Sequence, residues 1–293
     1  MSAVLKTLAS YGLWAFILVT CPILFIGAVL VWAATAPFDR RLRALHLYSC
    51  AWASLYTYVF PYWRIRVRGR ERIRAGATYV LVANHQSLLD ILVLFRLYKH
   101  FKWVSKASVF RVPFIGWNMT LNRYIAIRRG DPADAQRMMA TCAAALAGGS
   151  SIMMFPEGTR SLDGELREFR HGAFTLALRH GVPIVPIVSD GTLDALPKHG
   201  MTLHNAADIV IQVLEPIDVA RFTEADALRD HVRAVMREAL QALRAERGSP
   251  ASRTDARRGS GWHALSLRCR TRSNPGPRAN ARGRSSSRTA QRT

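Results

Sequence analysis

A histidine and an aspartate five residues apart, His85 and Asp90, are the side chains of this sequence best suited to acid–base chemistry. They stand between an apolar run, residues 79–83, which predicts a buried strand, and another, residues 88–97, which predicts a helix. If the turn between them is tight, Asp90 can reach one imidazole nitrogen and leave the other as a general base. The structural alternative is a capping aspartate beside a histidine whose hydrogen bonds are satisfied.

A second polar string follows another predicted strand, residues 152–155. It reads Phe-Pro-Glu-Gly-Thr-Arg-Ser over residues 155–161. Together with Asn-His-Gln-Ser-Leu-Leu-Asp, residues 84–90, it resembles the third and first motifs of the glycerolipid acyltransferases. The resemblance is strongest to the 1-acyl-sn-glycerol-3-phosphate acyltransferase branch, and it covers about residues 62–215.

The resemblance implies transfer of a fatty acyl group from a thioester donor to the sn-2 hydroxyl of lysophosphatidic acid, giving phosphatidic acid in phospholipid biosynthesis. The donor is expected to be acyl-CoA or acyl-carrier protein. His85 would remove the hydroxyl proton, and Asp90 would hold the imidazole and stabilise the imidazolium. The residues that the resemblance assigns to substrate binding are Arg128, Glu157, Gly158, Thr159 and Arg160.

Two of these assignments have alternatives. A predicted strand, residues 124–127, ends in two arginines and resembles the second motif of the family, whose arginine contacts the acceptor phosphate. Arg128 fits that position best, and Arg129 is the alternative. Glu157 could orient an arginine or bind a glycerol hydroxyl, or it could be only a structural partner of Arg160.

No metal and no cofactor are expected. His85 and Asp90 could be two zinc ligands, but a zinc site normally needs three protein ligands and no third is evident. Four scattered cysteines without a Cys-x-x-Cys pair predict free thiols in a reducing compartment. Ser87 lies in no Gly-x-Ser-x-Gly string, so direct attack by the acceptor hydroxyl in a ternary complex is predicted over an acyl-serine intermediate.

The charge of the chain points to an anionic partner. Its 293 residues carry a net charge of +21, and 49% of them are hydrophobic, which is enough for a full core. Such a basic chain suits an anionic membrane surface or nucleic acid. We predict the membrane surface and no specific nucleic acid.

The first part of the chain predicts a membrane anchor. No charge occurs in residues 7–38, and a transmembrane helix is predicted at about residues 12–34. Basic residues follow at once, at positions 40, 41 and 43, which places the rest of the chain on the cytoplasmic face, at the inner membrane if the protein is bacterial. An aromatic-rich segment, about residues 44–61, predicts an interfacial helix or a second membrane helix.

Three regions are therefore expected: an anchor over residues 1–61, an acyltransferase domain over residues 62–247 and a disordered basic tail over residues 248–293. The middle region predicts an α/β fold, with a mixed, largely parallel sheet flanked by helices. One of its strands, residues 182–188, contains Pro183 and Pro186, which cannot donate to a ladder and favour a strand end or an edge strand. By resemblance this strand would form an apolar wall of the acyl site.

Two other functions fit parts of the pattern. The same chemistry could act on another lyso-lipid, such as a lyso-ornithine lipid or a different lysophospholipid, because acceptor choice depends on pocket shape. A noncatalytic, basic membrane- or nucleic-acid-binding protein would explain the charge. It would not explain two active-site motifs at separate strand ends.

Overall fold

The computed structural model describes residues 3–59, 63–196 and 206–248. The helices are α1 (Ala3–Thr35), α2 (Arg43–Tyr58), α3 (Leu89–Leu94), α4 (Ile115–Leu121), α5 (Pro132–Ala147), α6 (Gly172–His180), α7 (Thr192–Ala195) and α8 (Ala225–Gly248). The strands are β1 (Trp63–Arg68), β2 (Val80–Ala83), β3 (Phe101–Lys106), β4 (Ile125–Ile127), β5 (Ser151–Met154), β6 (Ile184–Asp190) and β7 (Ala207–Val213). The predicted tail lies outside the described residues, apart from the end of α8.

The strands form one sheet of seven in the order β1-β7-β6-β2-β5-β3-β4. All neighbours are parallel except β6 and β7, which are antiparallel. Helices connect the parallel strands and cover the sheet, as such crossovers require. The predicted α/β class with a mixed, largely parallel sheet is therefore confirmed.

The middle of the sheet is buried on both faces, which explains why its strands read as continuous apolar runs. In β2, Leu81 and Ala83 pack on the side of α2 and α3, whereas Val80 and Val82 pack on the side of α5, α6 and α8. All four side chains are fully buried. The strand that leads to His85 is thus fixed from both sides.

Strand β6 lies between β2 and β7, so it is not an edge strand. Pro183 directly precedes its first residue, which is the strand-end position that the sequence also allowed. Pro186 has no N–H to donate, but its carbonyl accepts a hydrogen bond of 2.9 Å from the backbone N–H of Leu214. The change to antiparallel pairing with β7 occurs along this strand. The number of neighbours a strand has depends on distant partners, which its own prolines do not reveal.

Helix α1 contains the one described segment that is long and apolar enough to cross a membrane, Ser10–Thr35, with a mean hydropathy of 2.5. Only 11% of its most apolar window is buried against the rest of the chain. Helix α2 differs, because nine of its residues are buried. Arg41, in the connection between these helices, donates to the carbonyl of Gly149 at 3.1 Å, and Lys102 donates to the carbonyl of Arg41 at 2.8 Å. The connection is therefore attached to the α/β domain.

A glycine fixes the turn that follows β6. Gly191 has φ of 91°, in the left-handed region, and a Cβ there would lie 2.2 Å from the carbonyl oxygen of Asp208. Only glycine avoids both the strain of a positive φ and the clash with this carbonyl. The close approach sets the direction in which the chain enters α7.

Replacing Gly191 by Ala is expected to destabilise the fold by about 3 kcal/mol, because the cost of the backbone strain and the cost of the clash with the carbonyl are added together. Gly181→Ala is the matched control: Gly181 also has positive φ, at 60°, but nothing lies within 4 Å of its added Cβ. The control is expected to cost about 1 kcal/mol. Denaturant unfolding in detergent micelles measures both changes, and equal losses would contradict the clash.

Candidate active site

The two polar motifs meet because the strands before them are parallel neighbours. Val82 of β2 pairs with Met154 of β5, so the chain leaves both strands at the same edge of the sheet. The backbone N–H of Ser161 then donates to the carbonyl of His85 at 2.8 Å. Residues 84–90 and 155–161, far apart in sequence, thus form one site.

His85 and Asp90 are in direct contact, with 2.9 Å between Nδ1 and Oδ2. The same Oδ2 accepts hydrogen bonds from the backbone N–H groups of Gln86, at 2.6 Å, and Ser87, at 2.8 Å. Because a carboxylate only accepts hydrogen bonds, Nδ1 is the protonated ring nitrogen. Nε2 of His85 is left with a lone pair, as a general base requires.

The second oxygen of Asp90 is held by residues from the end of β6 and from α7. Its Oδ1 accepts hydrogen bonds from the hydroxyl groups of Ser189, at 3.2 Å, and Thr192, at 2.5 Å. Asp90 is fully buried, and these hydroxyls replace the water it has lost. The sequence analysis missed both residues. The only available signal was the appearance of polar residues after an apolar strand.

An aromatic ring fixes the plane of the imidazole. Phe155 stacks on His85 with 4.0 Å between ring centroids and 10° between the planes, and Trp103 packs against Phe155 at 5.5 Å. Phe155 was read from the sequence only as part of a motif. The structure shows that it limits rotation of His85 about its side-chain bonds.

Glu157 lies behind the histidine. One carboxylate oxygen accepts from the backbone N–H of His85 at 2.9 Å, and the other accepts from that of Arg167 at 3.3 Å. Burial is the strongest influence on the pKa of Glu157 and raises it to about 7. Glu157 does not line the cavity described next, so its contacts are those of a backbone clamp. Its predicted part in substrate binding stays a prediction.

A cavity of about 420 Å³ opens beside His85. Most of its wall is apolar and comes from α2, α3, α4 and the segments around β3. This wall includes Trp52, Ala53, Tyr56, Leu88, Ile91, Leu92, Phe95, Trp103, Val109, Ile115, Met119 and Phe155. No residue of β6, which the sequence analysis predicted as an apolar wall of the acyl site, belongs to the lining of this cavity.

The same cavity carries cations close to the motif residues. Thr159 and Arg160, both predicted binding residues, line it. Arg129 lines it and Arg128 does not; the backbone N–H of Arg128 donates to Asp134 at 2.5 Å. Lys106, at the end of β3, also lines the cavity and was missed, because nothing in its local sequence marks it.

Gly158 contributes backbone geometry. Its φ is 68°, and a Cβ on it would lie 2.6 Å from Nε of Arg170.

Within the described residues, no group of three or more histidine, cysteine, aspartate or glutamate side chains is arranged to hold a metal ion.

His85 in contact with the buried Asp90, at the edge of a parallel sheet and beside an apolar cavity with cations, is an arrangement that fits a lipid acyltransferase domain. A family model described as Acyltransferase matches residues 64–190. The solved structure of the 1-acyl-sn-glycerophosphate (LPA) acyltransferase PlsC from Thermotoga maritima is similar with a TM-score of 0.70 and 25% identity. The alignment covers 83% of this chain and 96% of that one.

Two curated relatives carry the 1-acyl-sn-glycerol-3-phosphate acyltransferase name. A chloroplastic protein of Arabidopsis thaliana is 35% identical over 205 residues, 70% of this chain and 56% of that protein. A protein of Chlamydomonas reinhardtii is 35% identical over 229 residues, 78% of this chain and 67% of that one. The chain belongs to the 1-acyl-sn-glycerol-3-phosphate acyltransferase family. It spans little more than half the length of the plant relative.

Glu157 gives the site a pH-dependent stability. Its folded-state pKa, about 7, lies above its ordinary value of 4.5, so the folded chain keeps a proton that the unfolded chain loses. This contribution to stability is fully present below pH 4.5 and is lost as the pH rises through about 7. Across that interval the free energy of unfolding is expected to fall by roughly 3 kcal/mol more in the wild type than in Glu157→Gln.

Denaturant unfolding of both proteins at several pH values measures this difference. Glu238→Gln, at an exposed position of α8, is the control and should follow the wild-type curve. If the free energy of unfolding depends on pH equally in the wild type and in Glu157→Gln, burial does not raise the pKa of Glu157.

Proposed function

We propose that this protein transfers a fatty acyl group from a thioester donor to the sn-2 hydroxyl of lysophosphatidic acid, giving phosphatidic acid. One observation carries the proposal: His85, oriented by Asp90 at 2.9 Å, lies on the wall of an apolar cavity that also carries cations. An acyl chain needs the apolar wall, a hydroxyl nucleophile needs the base, and a phosphate needs the cations. The names of the relatives support the same choice of acceptor.

In the proposed reaction, Nε2 of His85 takes the proton of the acceptor hydroxyl as its oxygen attacks the thioester carbonyl carbon. The imidazolium that forms is stabilised by Asp90, whose carboxylate already contacts Nδ1. Collapse of the tetrahedral intermediate breaks the carbon–sulfur bond. The leaving thiolate then takes the proton from His85, which returns the base to its starting form.

The acceptor phosphate is proposed to bind the cations of the cavity wall. Arg160 and Lys106 line the cavity with His85, and a guanidinium offers a phosphate two parallel hydrogen bonds. Arg129, which the sequence analysis named as the alternative to Arg128, also lines the cavity, and this supports Arg129 for the same role. The phosphate would hold the glycerol backbone so that its free hydroxyl meets Nε2.

The environment of Ser87 supports direct attack. Its side chain is fully buried, and its hydroxyl donates to the carbonyl of Leu196 at 2.6 Å while accepting from the backbone N–H of Leu89 at 3.2 Å. Both contacts occupy the hydroxyl in holding the turn together. The acceptor hydroxyl is therefore the proposed nucleophile, and no acyl-serine is formed.

The lipid substrates suit a domain held at a membrane. We propose that α1 anchors the chain and that the α/β domain lies on the cytoplasmic face, with an anionic lipid surface beside it. The exposed apolar side chains of α1 support an anchor, and the basic residues after it support the orientation. The donor is proposed to be acyl-CoA or acyl-carrier protein.

Replacing His85 by Ala is expected to lower kcat by 10²–10⁴-fold, because the attacking hydroxyl loses its base. Membrane association should be retained, since His85 is a single side chain on the cavity wall. His180→Ala, at an exposed position at the end of α6, is the control and should keep full activity. Thioester-dependent acylation of lysophosphatidic acid measures kcat.

Retained acyl transfer in His85→Ala would refute the mechanism. Assays with a panel of lysophospholipids and a lyso-ornithine lipid test the alternative acceptors. A wild-type protein that binds anionic vesicles but acylates none of these lyso-lipids would favour the noncatalytic function.

Replacing Arg160 by Gln is expected to raise KM for lysophosphatidic acid about tenfold, the usual effect of losing a hydrogen bond between charged groups. The KM for monoacylglycerol, which lacks the phosphate, should change little. Arg237→Gln, at an exposed position of α8, is the control. Equal changes with both acceptors would place Arg160 away from the phosphate.

A further inference from the structure

We propose that Arg247, in the last turn of α8, is a positioning residue for the pair of His85 and Asp90. It holds the turn that presents the hydroxyl group of Thr192 to Asp90, and it does so from the opposite side of the sheet. The expected effect on acyl transfer rests on the proposed function, whereas the contacts themselves do not depend on the substrate. Arg247 belongs to none of the motifs that the sequence analysis singled out.

The end of β6 connects the two sides of the sheet. Ile187 packs on the side of α2 and α3, and Val188 packs on the side of α8. Because successive side chains of a strand point to opposite faces, Ser189 faces the side of Asp90 and Asp190 faces α8. The contacts agree: the hydroxyl of Ser189 donates to Asp90 at 3.2 Å, and Asp190 forms ion pairs with arginines of α8. The position of Asp190 is therefore coupled to the residues that hold Asp90.

Arg247 holds both ends of the turn that carries Thr192. Its guanidinium forms one ion pair with Asp190, before the turn, and another, at 2.9 Å, with Asp194 after it. Asp190 is buried, so its charge would be costly without a cation beside it. Thr192 lies between these two carboxylates and donates to Asp90 at 2.5 Å. One side chain thus fixes the segment on both sides of the hydroxyl that holds Asp90.

The effect of Arg247 is expected at Thr192 more than at Ser189. The backbone of Ser189 is held separately by Asn84: its N–H donates to Oδ1 at 2.7 Å, and its carbonyl accepts from Nδ2 at 2.9 Å. Thr192 comes after Gly191, where the chain turns with φ of 91°. The contacts of Asn84 therefore do not fix the direction in which the chain reaches Thr192, and the two ion pairs of Arg247 do.

Arg244, one turn earlier in α8, mainly holds a different loop. Its Nη2 donates to the carbonyl of Gly164 at 2.7 Å, and its Nη1 forms an ion pair with Glu165. Its contact with Asp190 is longer, at 3.5 Å. Arg247 is therefore the arginine whose contacts bracket the turn.

The test measures kcat and KM for acylation of lysophosphatidic acid by full-length wild type and Arg247→Gln. We expect kcat to fall about 10- to 100-fold, because a loosened turn no longer orients Asp90 through Thr192. KM for both substrates should stay unchanged, because Arg247 does not line the acyl cavity. Thr192→Val should lower kcat to a similar extent. Adding Arg247→Gln to Thr192→Val should lower it no further, since both changes act through one hydroxyl.

Arg68→Gln is the matched control. Arg68 attaches the same end of α8 to β1 through an ion pair with Glu246 at 2.7 Å, so its loss loosens the helix without touching the turn. This variant should keep the wild-type kcat. Arg247→Lys keeps a charge for Asp190 but lacks the planar fork of a guanidinium, so its kcat should lie between those of the wild type and Arg247→Gln. Arg247→Lys carries the test if Arg247→Gln does not fold.

A second measurement does not depend on acyl transfer. The proton that Nδ1 of His85 shares with Asp90 is followed by NMR spectroscopy of the protein in detergent micelles, and its signal is assigned by its absence in His85→Ala. We expect this signal to shift in Arg247→Gln and to keep its wild-type position in Arg68→Gln.

The inference is overturned if Arg247→Gln keeps the wild-type kcat and signal, or if it changes only KM. It is also overturned if Arg68→Gln lowers kcat equally, or if the losses of Arg247→Gln and Thr192→Val multiply in the double variant. A wild type that acylates no lyso-lipid, but whose His85 signal shifts in Arg247→Gln, would support the positioning role and overturn the proposed function.

Discussion

The buried carboxylate of Asp90 is the group around which the site is built. It accepts five hydrogen bonds, from a histidine ring, two backbone N–H groups and two hydroxyl groups. A buried charge without such partners would cost several kcal/mol. The donors come from the turn after β2, from the end of β6 and from α7. The fold must therefore bring these three segments together before the imidazole can be oriented.

The parallel sheet makes that convergence possible. Strand β2 has β5 on one side and β6 on the other, and all three run in the same direction. Their carboxyl ends open at one edge, where β2 leads to His85, β5 leads to the loop with Glu157, and β6 contributes Ser189. Ligands of open parallel sheets generally bind at this edge, because the loops that follow neighbouring strands meet there. The arrangement of the site therefore follows from strand order as much as from the motif residues.

What could be predicted from the sequence was local. His85 and Asp90 lie within one turn of each other, so their contact depends on few residues, and apolar runs revealed the strands on either side. Ser189 and Lys106 come to the site only through strand pairing, which no short pattern shows. Which of Arg128 and Arg129 lines the cavity also depends on how the chain leaves β4. Successive side chains of an extended chain point to opposite sides, so only one of the two faces the cavity.

Two carboxyl groups hold the same histidine in different ways. Asp90 fixes the ring through Nδ1, whereas Glu157 fixes the backbone through its N–H. Both are buried, and neither belongs to the cavity lining. The fixed charges that do line the wall are cations. In the proposed reaction the carboxyl groups lie behind the histidine and the cations in front of it, so an acceptor phosphate would meet cations and would not be repelled by carboxylates.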